Sequence, residues 1–194
     1  MSTCNDDGHH LASPDVTPPT SSSYWVVDGL FLAGAYPGAP EPDKHEQKIQ
    51  ALLDAGVRQI INLMEPDETD HRGRPFVPYD DLVAQLCPDA KCVRSAIQDL
   101  SVPSVEQMQS VLDTIDESLQ AGRAIYVHCW GGVGRTGTVV GCWLLGHGLA
   151  DPTNVLDVLM RLRKQDRERG QRMSPETVAQ QRFVKQWLAQ EAAE

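Results

Sequence analysis

The stretch Ile125–Gly137, I-Y-V-H-C-W-G-G-V-G-R-T-G, decides the fold of this 194-residue chain. It begins with a short apolar run typical of a strand, passes through a glycine-rich loop and enters Thr138–Leu149, an apolar segment typical of a helix. Cys129 ends the strand, and Arg135 follows six positions later, where the helix should begin. We therefore predict a strand–loop–helix unit with a cysteine and an arginine at its loop.

This predicted loop has the chemistry of an anion site. Successive backbone N–H groups in a glycine-rich turn at a helix N-terminus converge and favour a negative charge. The same field stabilises a thiolate, which is the nucleophilic form of cysteine. Arg135 can hold two phosphate oxygens in a bidentate fork. A nucleophilic sulfur beneath a bound phosphate indicates covalent phosphoryl transfer.

The spacing H-C-x5-R-T, from His128 to Thr136, resembles the signature of the cysteine-dependent protein tyrosine phosphatase superfamily. The double glycine after an aromatic residue is most similar to its compact dual-specificity group, of the cyclin-dependent kinase-associated phosphatase type. The resemblance covers roughly residues 24–190 and is strongest at 97–141. It implies a single α/β domain with a central, mostly parallel sheet of about four or five strands flanked by helices.

The resemblance also implies roles for individual residues. Asp99 lies 30 residues before Cys129, between a predicted strand and a predicted helix, where the family carries its general acid. The same carboxylate would then activate water in the second step. The remaining implied roles are nucleophile for Cys129, thiolate support for His128, assistance to the leaving thiolate for Thr136, and phosphate binding for Trp130, Gly131, Gly132, Val133, Gly134 and Arg135.

A segment near the C-terminus resembles a second family motif. Residues 176–183, E-T-V-A-Q-Q-R-F, are similar to the Q-T-x-x-Q-Y-x-F segment that positions the hydrolytic water in classical tyrosine phosphatases. Glu176 replaces the first glutamine of that motif. Gln180 and Gln181 are therefore the candidates for positioning water, and an ordinary helix start explains the segment equally well.

Other interpretations of the glycine-rich loop account for less of it. Gly132, Gly134 and Gly137 satisfy the dinucleotide fingerprint G-x-G-x-x-G, which expects an acid about 20 positions later at the end of a second strand. Asp151 and Asp157 fall instead in a predicted loop and a predicted helix. A Walker A loop would need Lys-Ser/Thr where Thr-Val stands. A structural cysteine with packing glycines would leave the arginine unexplained.

Composition excludes several classes of function. A net charge of −10 disfavours nucleic acid as a partner, and no apolar run approaches the roughly 18 residues of a membrane span. Five cysteines without C-x-x-C spacing favour a reducing, cytoplasmic compartment over a disulfide framework. The six histidines show no metal-ligand spacing, so we expect no metal and no cofactor. We expect a monomer.

The chain divides into a disordered leader, residues 1–23, and a catalytic domain, residues 24–194. Serine, threonine, proline and aspartate dominate the leader. Within the domain, strands alternate with helices before helices alone follow. The predicted strands are a hairpin at 24–34 and runs at 57–64, 92–97 and 124–128; the predicted helices are 42–55, 79–86, 103–122, 136–148, 152–165 and 175–191.

Two charged segments favour ordinary surface positions. The acids of residues 65–73 predict a solvated turn rather than a catalytic group, although the loop should lie at the same sheet end as the site. A basic run predicts a solvated helix face in preference to a docking patch for an acidic substrate. The run consists of Arg161, Arg163, Lys164, Arg167, Arg169 and Arg172.

These observations predict a phosphatase that hydrolyses phosphotyrosine, and also phosphoserine or phosphothreonine, on proteins or peptides. The loop carries no lysine where the phosphoinositide phosphatases of the superfamily have basic residues, which disfavours but leaves open a phosphatase of inositol phosphates or phosphoinositides. A phosphoprotein-binding module without turnover is a second alternative. Arsenate or sulfur-transfer chemistry is a third, and it would need Cys87, Cys92 or Cys142 as a resolving thiol.

Overall fold

A five-stranded sheet forms the centre of the molecule in a computed structural model that describes residues 10–191. Its strands are β1 (Ser23–Val27), β2 (Phe31–Ala35), β3 (Val57–Asn62), β4 (Lys91–Arg94) and β5 (Ala124–Cys129). They lie in the order β1-β2-β5-β3-β4. β1 is antiparallel to β2, and the other three pairings are parallel. The predicted mostly parallel sheet is confirmed, as is the hairpin, which turns at Gly29 with φ +68°.

Helices cover both faces of the sheet, as the single α/β domain requires. The helices are α1 (Pro42–Asp54), α2 (Asp80–Leu86), α3 (Val105–Gln120), α4 (Arg135–Gly146), α5 (Val155–Leu162) and α6 (Val178–Glu191). α1 and α2 pack on one face, while α3 and α4 pack on the other and α5 and α6 pack against α4. A single turn of 3-10 helix, Arg163–Gln165, ends the region predicted as one helix at 152–165. No helix among the described residues is long and apolar enough to cross a membrane.

The middle strand β5 is buried on both faces, which fixes the position of the residue at its end. Tyr126 packs into the core under α1, and its neighbour Val127 packs into the core under α3 and α4. Successive strand residues point to opposite faces, so β5 needs apolar side chains throughout. Ligand sites of parallel sheets lie beyond the carboxyl ends of the strands. Cys129 ends β5 at that edge, and α4 begins there.

Residues 10–22 lie against the sheet, where the composition predicted a disordered leader. The Ala12 N–H donates to the Val26 carbonyl at 2.9 Å, so the segment uses backbone groups that an edge strand would otherwise expose to water. The low apolar content of the segment gave no signal of this pairing, because backbone groups make it. Residues 1–9 of the predicted leader lie outside the described residues.

Candidate active site

Cys129 lies at the base of a cavity of about 380 Å³ beyond the carboxyl end of the sheet. Residues 130–134 turn from β5 into α4, whose first residue is Arg135. The predicted strand–loop–helix unit is confirmed. Asp99 comes from the loop between β4 and α3 and lines the same cavity, so the fold brings the three principal predicted residues together.

Arg135 is almost wholly buried and is bound by a carboxylate. Its Nη1 donates to Glu68 Oε2 at 2.7 Å, and its Nη2 donates to Glu68 Oε1 at 2.8 Å. Nη1 also donates to the Ile97 carbonyl at 3.1 Å. Burial opposes the charge of Arg135, but the Glu68 hydrogen bonds and the nearby Cys129 outweigh burial and raise the arginine pKa. The guanidinium is therefore charged and fixed in orientation.

One side of this guanidinium is left for a ligand. The Nε of Arg135 is buried and has no hydrogen-bond partner in the described structure, and Nη2 lies 2.9 Å from Asp99 Oδ1. Leaving a buried N–H unpaired costs free energy, so the atom marks a place for an acceptor. Two adjacent N–H groups of a guanidinium match two oxygens of a phosphate. Asp99, whose side chain is 47% exposed, contacts one of these two groups, Nη2.

Glu68 is a site residue that the sequence analysis missed. Its side chain is 9% exposed, so the prediction of a solvated turn is wrong at this position. Glu68 follows β3, which lies next to β5, and loops after neighbouring parallel strands meet at one edge of the sheet. That adjacency was the available signal, but an acid-rich loop offers several acids and the sequence does not rank them.

His128 is buried, neutral and bonded at both ring nitrogens. Its Nδ1 lies 3.2 Å from the Cys129 carbonyl, which can only accept, so Nδ1 carries the hydrogen. Nε2 therefore accepts from the Tyr79 hydroxyl, at 2.5 Å. Burial lowers the pKa of His128 to about 3 and raises that of Tyr79 well above its usual value. The neutral ring orients the end of β5, and Tyr79 is a second partner that the sequence analysis missed.

Gly132 allows the glycine-rich loop, residues 130–134, to pass close to β2. Its φ is +66°, and a Cβ there would lie 2.4 Å from the Gly34 carbonyl carbon and 2.7 Å from the Ala35 nitrogen. A Cβ at Gly131 would meet nothing nearer than 3.9 Å. Its φ and its close backbone contacts therefore require glycine at position 132, whereas the space around Gly131 would admit a methyl group.

We predict that Gly132→Ala lowers the free energy of unfolding by about 2–4 kcal/mol, because a positive φ and a backbone overlap both oppose the new methyl group. Gly131→Ala is the matched control and should change it by less than about 1 kcal/mol. Denaturant unfolding at one pH measures both. Equal effects of the two substitutions would contradict the close approach of the loop to β2.

Hydrogen bonds from other elements hold the remaining loop residues. The Thr136 hydroxyl donates to the Gly34 carbonyl at 3.3 Å, and the Ser174 hydroxyl donates to the Val133 carbonyl at 2.7 Å. The Tyr36 N–H donates to the Trp130 carbonyl at 3.0 Å. The predicted phosphate-binding backbone is thus anchored on three sides, and the Thr136 hydroxyl is wholly buried beside it.

The basic run contributes to the site, which corrects its prediction as a solvated helix face. Arg163 is fully buried; its Nη1 donates to the Gly132 carbonyl and its Nη2 donates to the Arg169 carbonyl at 2.8 Å. It therefore supports the glycine-rich loop. Arg169 and Arg172 line the cavity itself. The run does not lie on one helix face because the α-helix ends at Leu162.

The two candidate glutamines take different positions. Gln180 is buried, its side-chain amide lies beside Gly134, and its Nε2 donates to the Ser101 carbonyl at 3.0 Å. It therefore connects the glycine-rich loop with the loop that carries Asp99. The Gln181 Nε2 donates instead to the Pro175 carbonyl at 2.9 Å. Gln180 therefore packs against Gly134 and Gln181 does not, although neither glutamine lines the cavity.

Solved phosphatases share this fold. A kinase associated phosphatase (KAP), solved with a serine substituted for its catalytic site cysteine, aligns with a TM-score of 0.69 over 84% of this chain and 88% of its own, at 21% identity. Tk-PTP in its active form aligns with a TM-score of 0.64 over 88% of this chain and 97% of its own, at 26% identity. The fold is that of a protein tyrosine phosphatase of the dual-specificity type.

Residues 21–184 match the family described as "Swiss Army Knife protein, DSP-PTPase phosphatase domain" (PTP-SAK). The chain belongs to this family, and it is a dual-specificity phosphatase-type domain. The resemblance that the H-C-x5-R spacing indicated is thereby confirmed.

Curated relatives match part of the chain. An uncharacterized protein of Methanocaldococcus jannaschii (MJECL20) is 34% identical over 92 residues, which are 47% of this chain and 56% of that protein. The phosphatidylglycerophosphate phosphatase PTPMT1 of Arabidopsis thaliana is 31% identical over 122 residues, 62% of this chain and 32% of that protein. The chain thus spans little more than half of the first relative and about a third of the second.

Proposed function

We propose that this protein hydrolyses phosphomonoesters on phosphorylated proteins or peptides through a cysteinyl-phosphate intermediate. One observation carries the proposal: the Arg135 guanidinium lines the same cavity as Cys129 and Asp99, and its Nε has no hydrogen-bond partner among the described residues. A fixed cation, a nucleophile and a proton donor around one cavity are the parts that phosphoryl transfer needs.

In the proposed first step, the Cys129 thiolate attacks phosphorus while the bond from phosphorus to the leaving oxygen breaks. Asp99 gives its proton to that oxygen. The Arg135 Nε and Nη2 donate to two of the phosphoryl oxygens, and the loop N–H groups donate to the others. The buried Glu68 carboxylate keeps the guanidinium in the orientation in which both nitrogens face the cavity.

In the proposed second step, the Asp99 carboxylate takes a proton from water as the water oxygen attacks phosphorus. The bond from phosphorus to Sγ breaks and inorganic phosphate leaves. Thr136 assists departure of the thiolate. Gln180, which lies between the phosphate loop and the Asp99 loop, is the better placed of the two candidates for orienting this water.

The contact between Asp99 and Arg135 gives substrate binding a role in preparing the acid. The Asp99 carboxylate occupies the arginine Nη2 at 2.9 Å. A phosphate dianion that takes this N–H group leaves Asp99 next to a second negative charge. The carboxyl group that the guanidinium no longer holds is then free to turn toward the leaving oxygen, which it protonates in the proposed first step.

A phospholipid or inositol phosphate is the second candidate substrate. Arg169 and Arg172 line the cavity and could bind a second anionic group, and two Arabidopsis thaliana relatives, PTPMT1 and PTPMT2, are phosphatidylglycerophosphate phosphatases. Both arginines already pair with acids, at 3.3 Å to Glu168 and 2.7 Å to Glu176. Their charges are therefore partly satisfied, and this favours the singly phosphorylated protein substrate.

The test is metal-free phosphate release from panels of phosphotyrosine peptides, phosphoserine or phosphothreonine peptides, and inositol phosphates. We predict turnover that is highest on the phosphotyrosine peptides. Asp99→Asn should lower kcat by about 10²–10⁴-fold, because general acid catalysis contributes roughly that factor. An activated leaving group such as p-nitrophenolate, which needs less protonation, should show a smaller loss.

Asp113→Asn is the matched control, since Asp113 is exposed on α3 and bonds only Gln109 in the described contacts. It should leave kcat unchanged. Preferred turnover of inositol phosphates would promote the second candidate. If the wild-type protein bound phosphopeptides without releasing phosphate, the enzyme proposal would be wrong and the protein would be a phosphopeptide-binding module.

A further inference from the structure

A second, larger cavity of about 540 Å³ lies beside the cavity of the candidate active site. Trp130 and His71 line both cavities, with their ring centroids 4.3 Å apart. A group joined to a phosphate above Cys129 therefore passes this ring pair to enter the second cavity. Its volume falls within the range of about 300–1,000 Å³ typical of ligand sites.

One wall of the second cavity is aromatic. The Phe76 ring lies 4.8 Å from that of Tyr36 and 5.5 Å from that of Trp130, both edge to face. Val77 lies beside them with 40% of its surface exposed. An apolar group that entered here would displace water from aromatic and aliphatic surface, which favours binding.

Another part of the cavity lining is charged and lies on a hydrogen-bonded turn. Thr69 and Pro75 form a bridge, and the Asp70 N–H donates to the Arg74 carbonyl at 2.8 Å. The Arg74 guanidinium lies 2.6 Å from the Asp70 carboxylate, and its hydrogen bond lowers the pKa of Asp70 to about 2. This narrow turn, residues 69–75, begins directly after Glu68. It is preformed, so it need not be ordered when a ligand binds.

The contrast between the aromatic wall and the charged turn selects the kind of occupant. An acyl chain gains nothing from charged groups, and a membrane-facing site would expose them to lipid. A peptide is amphipathic at this scale, because an apolar side chain can face the aromatic wall while the peptide backbone lies along the polar turn. Asp70, Arg72 and Arg74 supply charged groups on that turn.

Resting on the phosphatase activity proposed above, we propose that this cavity binds an aromatic or large aliphatic side chain next to the phosphotyrosine of a peptide substrate. The cavity is a specificity site, and the phosphate loop shares its Trp130 wall. An extended chain advances about 3.3 Å per residue, so the side chain belongs to a residue within about two positions of the phosphotyrosine.

The experiment compares phosphotyrosine peptides that differ only by phenylalanine or serine at each flanking position, with p-nitrophenyl phosphate as a substrate that has no flanking group. We expect phenylalanine on one side to raise kcat/KM by about 10–100-fold, the discrimination that one apolar pocket provides. Phe76→Ala should reduce this advantage. Val77→Trp should remove it by filling the cavity.

Both variants should turn over p-nitrophenyl phosphate at the wild-type rate, which shows that they fold. Val93→Ala is the matched control, because Val93 is exposed on β4 and lines neither cavity; it should keep the full advantage. Turnover without preference between the peptides would overturn the specificity site and leave the phosphatase proposal standing. No turnover of any substrate would overturn the phosphatase proposal instead.

A lipid substrate tests the other possible source of an apolar group, an acyl chain. Dihexanoyl phosphatidic acid is compared with glycerol phosphate under the same conditions. If only the acyl chains raise kcat/KM, and Val77→Trp removes that gain, the cavity takes lipid and the peptide proposal is wrong. An advantage confined to the phenylalanine peptides supports it.

Discussion

Cys129→Ser should reduce phosphate release by about 10⁴-fold or more and leave binding of a phosphotyrosine peptide intact. A serine hydroxyl stays protonated near neutral pH and is a weak nucleophile without an adjacent base. His128 does not act as that base, because its ring is buried, neutral and bonded to the Cys129 carbonyl and to Tyr79. Losing a nucleophile from a covalent mechanism typically costs several orders of magnitude in kcat.

Two measurements separate a lost nucleophile from a lost fold. Phosphate release gives the catalytic loss, and calorimetry with a phosphopeptide gives the affinity, which should match or exceed that of wild type. Cys87→Ser is the control, since Cys87 ends α2 and packs with the core on the opposite face of the sheet. More than about a hundredth of wild-type turnover in Cys129→Ser would argue against the cysteinyl-phosphate.

The same variants address sulfur or arsenate chemistry. That alternative needs a second thiol to resolve the reacted cysteine, and a disulfide requires Cα atoms within about 7 Å. Cys87 and Cys92 pack against the core under α1 and α2, whereas Cys129 belongs to the core under α3 and α4. Cys142 lies in the same core as Cys129 and needs its own variant. Full turnover in Cys87→Ser, Cys92→Ser and Cys142→Ser would agree with hydrolysis, and loss in any of them would favour a thiol relay.

The sequence predicted the parts of the site that lie close together along the chain. Cys129 and Arg135 belong to one strand–loop–helix unit, whose apolar strand and glycine turn are visible in the residues themselves. Asp99 followed from the family's spacing between its acid and its cysteine. These predictions depended on local pattern and resemblance, and neither required knowledge of which distant residues meet.

The supporting residues could not be predicted in the same way. Glu68 is 67 positions from Arg135, Tyr79 is 49 from His128, and Arg163 is 31 from Gly132. Each contact depends on strand order and on the path of a loop. An acid in an acidic turn and an arginine in a basic run resemble solvent-exposed residues until the topology buries them. Once such a side chain is buried, its charge requires a partner, so the residue supports the site instead of facing solvent.

Arg135→Lys should lower kcat/KM by about 10³-fold, even though it keeps the positive charge. Lysine offers one ammonium group and cannot donate along two parallel directions to a phosphate. It also cannot bind both Glu68 oxygens as Nη1 and Nη2 do while still facing the cavity. Removing one pre-oriented donor to developing charge costs about 10²–10³ in rate, and this substitution removes more than one.

The expected loss differs from that of Cys129→Ser in kind. In the proposed mechanism Arg135 contacts phosphate in the ground state as well as in the transition state, so KM should rise while kcat falls. Inorganic phosphate should bind Arg135→Lys more weakly, whereas it should bind Cys129→Ser about as well as wild type. Steady-state kinetics and competition by inorganic phosphate measure both quantities.

Arg58→Lys is the matched control for Arg135→Lys. Arg58 donates to the Leu53 and Val57 carbonyls near the amino end of β3, away from the cavity, and its replacement should leave kcat/KM within about twofold. The kcat/KM of Glu68→Gln should fall between those of Arg135→Lys and Arg58→Lys, because an amide keeps one acceptor oxygen for the guanidinium but loses the charge. If Arg135→Lys kept a tenth of wild-type activity, charge alone would suffice at this position. The bidentate geometry that Glu68 fixes would then have no catalytic consequence.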